Sequence, residues 1–201
     1  LYDFWEMGPL KSILSIQDSS FNGLAQYNYE SGKPEMEGVL EGNLRNGVWH
    51  FFYPEGPHRK DVSYKKGELD GPYKNWYPNG KLSVEGNHLD GLKNGHWKWY
   101  NSTGEKYMEG DFLDGMQDNL WTYYFENGQI EATGKFEKDL RQGEWKMYYK
   151  DGSKWQIGSY QDDRKDGHWQ VYFESGQLLQ EGEYKLGKED GEWSTWYQNG
   201  E

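Results

Sequence analysis

From residue 23 onward the large apolar residues come in short bursts, separated by polar residues and glycine, and the bursts return every 24 residues. "GEWKMYYKDG", residues 143–152, is one of them, with Trp145, Tyr148 and Tyr149 between Gly143 and Gly152. A five-residue aromatic run that ends on Asn79-Gly80, Asn127-Gly128, Asp151-Gly152 or Asn199-Gly200 describes a strand entering a hairpin turn. The segment that follows, such as "QIEATGKFEKD" at 129–139, alternates as a second strand interrupted by glycine, which signals a bulge or the close approach of another backbone. "GKEDG" or "DRKDG" reads as a second, polar turn into the next unit. No segment carries a helical period.

Three glycine columns share this frame. The first runs Gly23, Gly47, Gly71, Gly95, Asn119, Gly143, Gly167 and Gly191. The second runs Gly32, Gly56, Gly80, Gly104, Gly128, Gly152, Gly176 and Gly200. The third holds Gly38, Gly86, Gly110, Gly134, Gly158 and Gly182, with Val62 in the one place where glycine fails. Between the first two lies the column Ala25, Trp49, Tyr73, Trp97, Trp121, Trp145, Trp169 and Trp193. Residues 23–201 therefore form eight in-register units in a single repeat domain, the last one truncated. Residues 1–22 read as a degenerate first repeat, because Phe4, Trp5 and Gly8 fall where the aromatic pair and second glycine would sit.

Ordering one such unit costs more backbone entropy than its three rings return on burial, so a hairpin of this kind is stable only against its neighbours. Stacking would set the Trp and Tyr columns into continuous ladders. The expected fold is all-β: an elongated array of about eight 24-residue hairpins forming one long twisted antiparallel sheet.

Composition agrees with a thin architecture. Aliphatic residues are few, whereas there are 11 Trp, 17 Tyr and 27 Gly. The net charge is −12 and the mean hydropathy −1.16. That balance argues against nucleic acid and anionic lipid, which need a basic patch, and favours a partner with a basic surface. No run is long and apolar enough to insert into a membrane. Without Cys there is no disulfide, thiolate metal site or Cys nucleophile. The chain begins without Met and stops within the pattern at "WYQNGE", as a piece of a longer protein would, and a removed leader stays open.

Candidate chemistry is sparse. Of His50, His58, His88, His96 and His168, only the last two share a repeat position, so all five are read as solvated strand residues and neither metal nor cofactor is expected. No motif of a serine hydrolase, zinc protease or phosphate loop occurs. Glu37, Asp61, Glu85, Glu109 and Glu181 recur just before the third glycine, whereas a catalytic pair would be unique in the array; no catalytic residue is assigned. The Asp-Gly pairs at Asp70, Asp90, Asp114, Asp151, Asp166 and Asp190 lack the alternating acids of a calcium loop and read as turns. His58-Arg59-Lys60, the one basic cluster, and Asn101-Ser102-Thr103, a glycosylation sequon, read as turns too.

The pattern "DGxWxxYYxNGxLxxEGxYxxGKxDG", as in residues 166–191 ("DGHWQVYFESGQLLQEGEYKLGKEDG"), resembles the variant MORN repeat of the bacterial YwqK-type antitoxin-like family. The resemblance covers nearly the whole chain. It implies an open MORN-like solenoid of hairpins with a scaffold or partner-binding role, in some members the neutralisation of a toxin, in the bacterial cytoplasm or envelope. Ala25, Val62, Asn101 and Asn119 depart from the motif and read as tolerated defects; the motif contains no catalytic group.

Columns that recur hold the array together: Trp49, Trp97, Trp121, Trp145, Trp169 and Trp193 with Gly80, Gly104, Gly128, Gly152 and Gly176. Columns that vary are free to recognise a partner. Unscheduled aromatics at Trp99, Tyr107, Tyr123 and Trp155, with Arg59, are the candidate contact residues, since exposed aromatics and Arg are enriched at binding hot spots. The expected function is a non-catalytic protein-binding scaffold. A carbohydrate or cell-wall binding module, using Trp/Tyr ladders to stack sugars, is the alternative.

Overall fold

A computed structural model describes residues 1–6, 8–17 and 19–199; Gly200, the last member of the second glycine column, lies outside them. The protein is all-β, with seventeen antiparallel strands and no helix among the described residues. It divides into two units, Leu1–Gly104 and Glu105–Glu201.

The first unit contains β1 (Tyr2–Phe4), β2 (Leu10–Gln17), β3 (Ser20–Asn28), β4 (Pro34–Glu41), β5 (Leu44–Phe52), β6 (His58–Lys65), β7 (Glu68–Trp76), β8 (Leu82–Leu89) and β9 (Leu92–Tyr100). The second contains β10 (Lys106–Leu113), β11 (Met116–Tyr124), β12 (Ile130–Glu137), β13 (Leu140–Tyr148), β14 (Lys154–Gln161), β15 (Arg164–Tyr172), β16 (Leu178–Lys185) and β17 (Lys188–Thr195). Within each unit every strand pairs with the next in sequence, which makes an antiparallel meander.

The three glycine columns do different jobs. Members of the first two sit at positive φ, as at Gly143 (63°) and Gly80 (82°). Asn119 stands in the first column at φ 58°, a conformation Asn tolerates better than other side-chain-bearing residues. At the hairpin tip Gly80 N–H donates to the Tyr77 carbonyl at 2.9 Å and Tyr77 N–H to the Lys81 carbonyl at 2.8 Å, a turn that needs a left-handed residue before the strand resumes. The third column serves a different need, space. A Cβ built on Gly38, Gly86, Gly110, Gly134, Gly158 or Gly182 would lie between 2.1 and 2.5 Å from the ring of Trp49, Trp97, Trp121, Trp145, Trp169 or Trp193 respectively. Both anticipated reasons for this glycine hold in part: it is skipped at a bulge, as between Thr133 and Lys135, but what approaches its backbone is an indole ring.

The bulge also turns a carbonyl toward that ring. Trp49, Trp97, Trp121, Trp145 and Trp169 donate Nε1–H to the carbonyls of Val39, Asn87, Asp111, Lys135 and Ser159, at 3.0–3.1 Å. Val62 ceases to be a random defect in this light. The residue that packs over this position is Tyr73, where six of the eight units place Trp, and Val62 and Tyr73 are direct cross-strand partners.

In the second unit successive Trp rings are separated, contrary to the expected ladder, whereas in the first unit Tyr73 and Trp97 of the same column meet directly at 5.6 Å and 32°. Between successive Trp rings lies a residue from the returning strand: Phe136 meets Trp121 at 5.9 Å and 76°, and Trp145 at 5.2 Å and 89°. Tyr160 bridges Trp145 and Trp169 in the same edge-to-face way, and Tyr184 bridges Trp169 and Trp193. Edge-to-face contact is preferred because it sets the positive ring edge against the negative ring face. Cations cover this stripe: Arg45 lies 4.7 Å from the Trp49 ring, Lys93 4.8 Å from Trp97 and Lys165 4.1 Å from Trp169. Burial pulls the Lys93 and Lys165 ammonium groups below their usual pKa.

Both rims are tied from one repeat to the next. Tyr29, Tyr53, Tyr77 and Tyr149 each donate a hydroxyl to the backbone carbonyl 23 residues on, at 2.8 Å. Trp5 does the same with its indole, reaching the Asn28 carbonyl at 3.3 Å. On the opposite rim the connections are two-residue turns with positive φ at both positions, such as Asp162-Asp163 and Leu186-Gly187. The sequence placed these turns too late: of "GKEDG" only Gly187 belongs to the turn, and Asp70, Asp166 and Asp190 lie inside strands β7, β15 and β17. The physical role of the Asp166 position is to cap, since its carboxylate accepts the N–H of Leu186, the first turn residue twenty positions on, at 3.0 Å.

Candidate functional site

On the face opposite the Trp stripe, side chains one residue after the Trp column meet the acids that precede the third glycine. Cα partners across β3 to β9 read Gln26–Glu37–His50–Asp61–Lys74–Glu85–Lys98 without a break, an alternating ladder of opposite polarity. The recurring acids thus have a structural explanation, since opposite charges directly across a sheet stabilise the pairing.

One rung differs. His50 Nδ1 and His58 Nε2 each lie 2.6 Å from the same oxygen of Asp61, Oδ1. The His58 ring is held edge-on by Phe52 at 5.3 Å and Trp76 at 4.7 Å. The strand reading missed this cluster because His50 and His58 occupy different repeat columns, and because residues 58 and 61 would face opposite ways on a regular strand. A bulge between Phe51 and Phe52 leaves Arg59 without a cross-strand partner, which changes the parity and turns His58 to the side of Asp61. His58-Arg59-Lys60 is accordingly the start of β6 and not a turn.

The remaining histidines divide. His168 bridges Glu183 and Glu181, both at 3.1 Å. His88 is buried, 8% exposed, against Tyr73 at 5.4 Å and Trp97 at 5.1 Å, so it takes the place that Phe112, Phe136, Tyr160 and Tyr184 hold elsewhere. The expectation of a solvated strand residue fails there, because that column, never singled out in the sequence, is the second half of the ring zipper. Burial, reinforced by Lys93, lowers the His88 pKa. The sequon forms a turn as expected, with Asn101 Oδ1 accepting the N–H of Thr103 at 3.0 Å.

The five candidate contact residues are divided between the two units. Arg59 and Trp99 belong to residues 1–104, and Tyr107, Tyr123 and Trp155 to residues 105–201. Trp99 is half-buried and stacks on Trp97 with centroids 5.9 Å apart. Tyr123 is half-buried between Trp121 and Trp145, 6.4 Å from each, and burial raises its hydroxyl pKa. The Arg59 guanidinium lies 5.8 Å from the Phe51 ring and its Nε is enclosed. Tyr107 and Trp155 project, at 42% and 44% exposure.

Trp155 stands at a concave part of the surface. It borders a hollow of about 330 Å³ lined by Phe125, Glu131, Tyr148, Tyr149 and Lys150, and its ring lies 6.3 Å from that of Tyr149. Tyr149 is fixed by its bond to the Tyr172 carbonyl. An exposed indole beside an immobilised phenol, with a carboxylate and an ammonium at the edge, is a rigid amphipathic surface.

No curated protein matches the chain. Residues 69–90, 117–138, 141–162 and 165–186 each span an outgoing strand, a hairpin tip and a returning strand, and these four segments match the MORN repeat variant.

Proposed function

We propose that the protein is a non-catalytic repeat scaffold that binds another protein carrying a basic surface. Repeats of this kind are generally associated with protein or membrane-lipid binding. Between those two, the net charge of −12 favours a cationic protein over an anionic bilayer. The observation that carries the reading is the Trp155 hollow, where an indole stays exposed although those of Trp49, Trp97, Trp121, Trp145 and Trp169 are buried. Neutralisation of a basic toxin, as in antitoxin-like relatives of the repeat, is one concrete form. The carbohydrate reading draws on the same place, since Trp155, Tyr149 and Glu131 offer a stacking platform and a hydrogen-bond acceptor.

Affinity capture from the source cells with the wild-type chain and with Trp155→Ala tests this reading. A stoichiometric basic protein retained by the first and lost by the second supports the scaffold. Retention on peptidoglycan or glycan beads that depends on Trp155, with no protein partner, replaces it by the carbohydrate reading.

A further inference from the structure

We propose that His50, His58 and Asp61 form a binding site for one divalent transition-metal ion of the zinc class, pinning β5 to β6. The candidate ligand atoms, His50 Nδ1, His58 Nε2 and an Asp61 carboxylate oxygen, all lie within 4.8 Å of one another. Two imidazoles and a carboxylate suit zinc, copper or nickel, and are a poor set for magnesium or calcium, which take oxygen ligands.

The geometry requires only a small adjustment. Each nitrogen is 2.6 Å from Asp61 Oδ1. Ligands of a tetrahedral zinc with bonds of ~2.0 Å stand about 3.3 Å apart, so inserting the ion spreads each pair by roughly 0.7 Å, within the reach of side-chain rotation. Backbone placement favours the trio, because His50 and Asp61 are direct cross-strand partners and the Arg59 bulge aims His58 at them. Phe52 and Trp76 hold the His58 ring in that orientation. The side chains of His50, His58 and Asp61 are 41%, 37% and 29% exposed, which leaves the remaining coordination position open to water.

The repeat provides its own comparison. At the position of His58 the other units carry Pro34, Leu82, Lys106, Ile130, Lys154 and Leu178, and none of these is a metal ligand under ordinary conditions. Lys106 there makes an ion pair with Glu109 at 2.6 Å, so the shared geometry that elsewhere serves a salt bridge here converges two imidazoles. Glu37 across from His50 and Lys74 across from Asp61 offset each other, so the rung adds no net charge against a cation.

Calorimetric titration of the purified chain with Zn²⁺, and visible absorption with Co²⁺, test the site. The expected result is one ion per chain with the d–d bands of a low-coordinate cobalt. His58→Leu and His50→Gln, residues that the repeat already accepts in those columns, should each weaken binding at least about tenfold, while His168→Ala leaves it unchanged. In the wild-type chain zinc should shift the imidazole NMR signals of His50 and His58 and spare those of His88, His96 and His168; this readout stands even if a variant folds poorly. Absence of stoichiometric binding, equal affinity in a folded His58→Leu variant, or shifts confined to other histidines (an adventitious ion only) overturns the proposal.

Discussion

Gly134 carries the ring of Trp145 so closely that a methyl group added to the glycine would lie 2.2 Å from Cδ2 of the indole. The same glycine–tryptophan relation holds at five further glycines among the described residues, and where glycine gives way to Val62 the ring above it is Tyr73. Val62 in place of glycine and Tyr73 in place of tryptophan are therefore one compensated change, in which a larger floor meets a smaller ring.

Gly134→Ala should accordingly destabilise the second unit by about 3 kcal/mol or more, at the upper end of overpacking costs, because the new atom meets a buried ring with little room to retreat. Tyr73→Trp alone should cost about 1–3 kcal/mol for the same reason, and Val62→Gly together with Tyr73→Trp should recover most of that loss. Urea unfolding of the single and double variants measures the coupling; strictly additive values would refute the paired explanation.

Trp145 is buried within the zipper and Trp155 stands outside it. Trp145→Ala should cost about 3–5 kcal/mol, and Trp155→Ala less than about 1 kcal/mol. Comparing thermal unfolding of the two variants distinguishes a structural ring from a surface one, and similar losses would mean that Trp155 belongs to the core.

Asn119 supplies a left-handed residue where its column otherwise holds glycine. Asn119→Gly should leave stability within about 0.5 kcal/mol, while Asn119→Val should cost about 1–3 kcal/mol, because a β-branched residue is strained at positive φ. Equal stability of the two variants in denaturant titration would show that the backbone there is not held as described.

His88 titrates below the usual value of 6.5, through burial first and Lys93 second. The folded state therefore takes up its proton at lower pH than the unfolded chain does. Its stabilising contribution is complete above about pH 6.5 and is lost as the pH falls through 6.5 toward the folded value. His88→Phe, the residue that the second unit carries at 112 and 136, should flatten the decline of stability between pH 7.5 and 5.5. An unchanged pH profile in that variant would locate the acid sensitivity elsewhere.

Much of this was legible in the chain itself, and for a physical reason. Strand length, turn chemistry and positive-φ glycines are local demands, so eight copies in register, from Gly23 to Gly191, state them without any knowledge of neighbours. The third glycine column was visible as a pattern, but its purpose was not, since space for Trp145 above Gly134 exists only once adjacent strands are paired. The Phe136 and Tyr160 column escaped notice because its members differ in chemistry and share only a position between indoles. In the sequence His58 lies in a basic cluster that reads as a turn and His50 in a solvated strand position, and neither points to the other. A bulge shifts strand parity by one residue, and where it falls depends on the pairing of β5 with β6. The period and the hairpins thus followed from sequence alone, while the edge-to-face order of the rings and the convergence of His50, His58 and Asp61 were decided by tertiary packing.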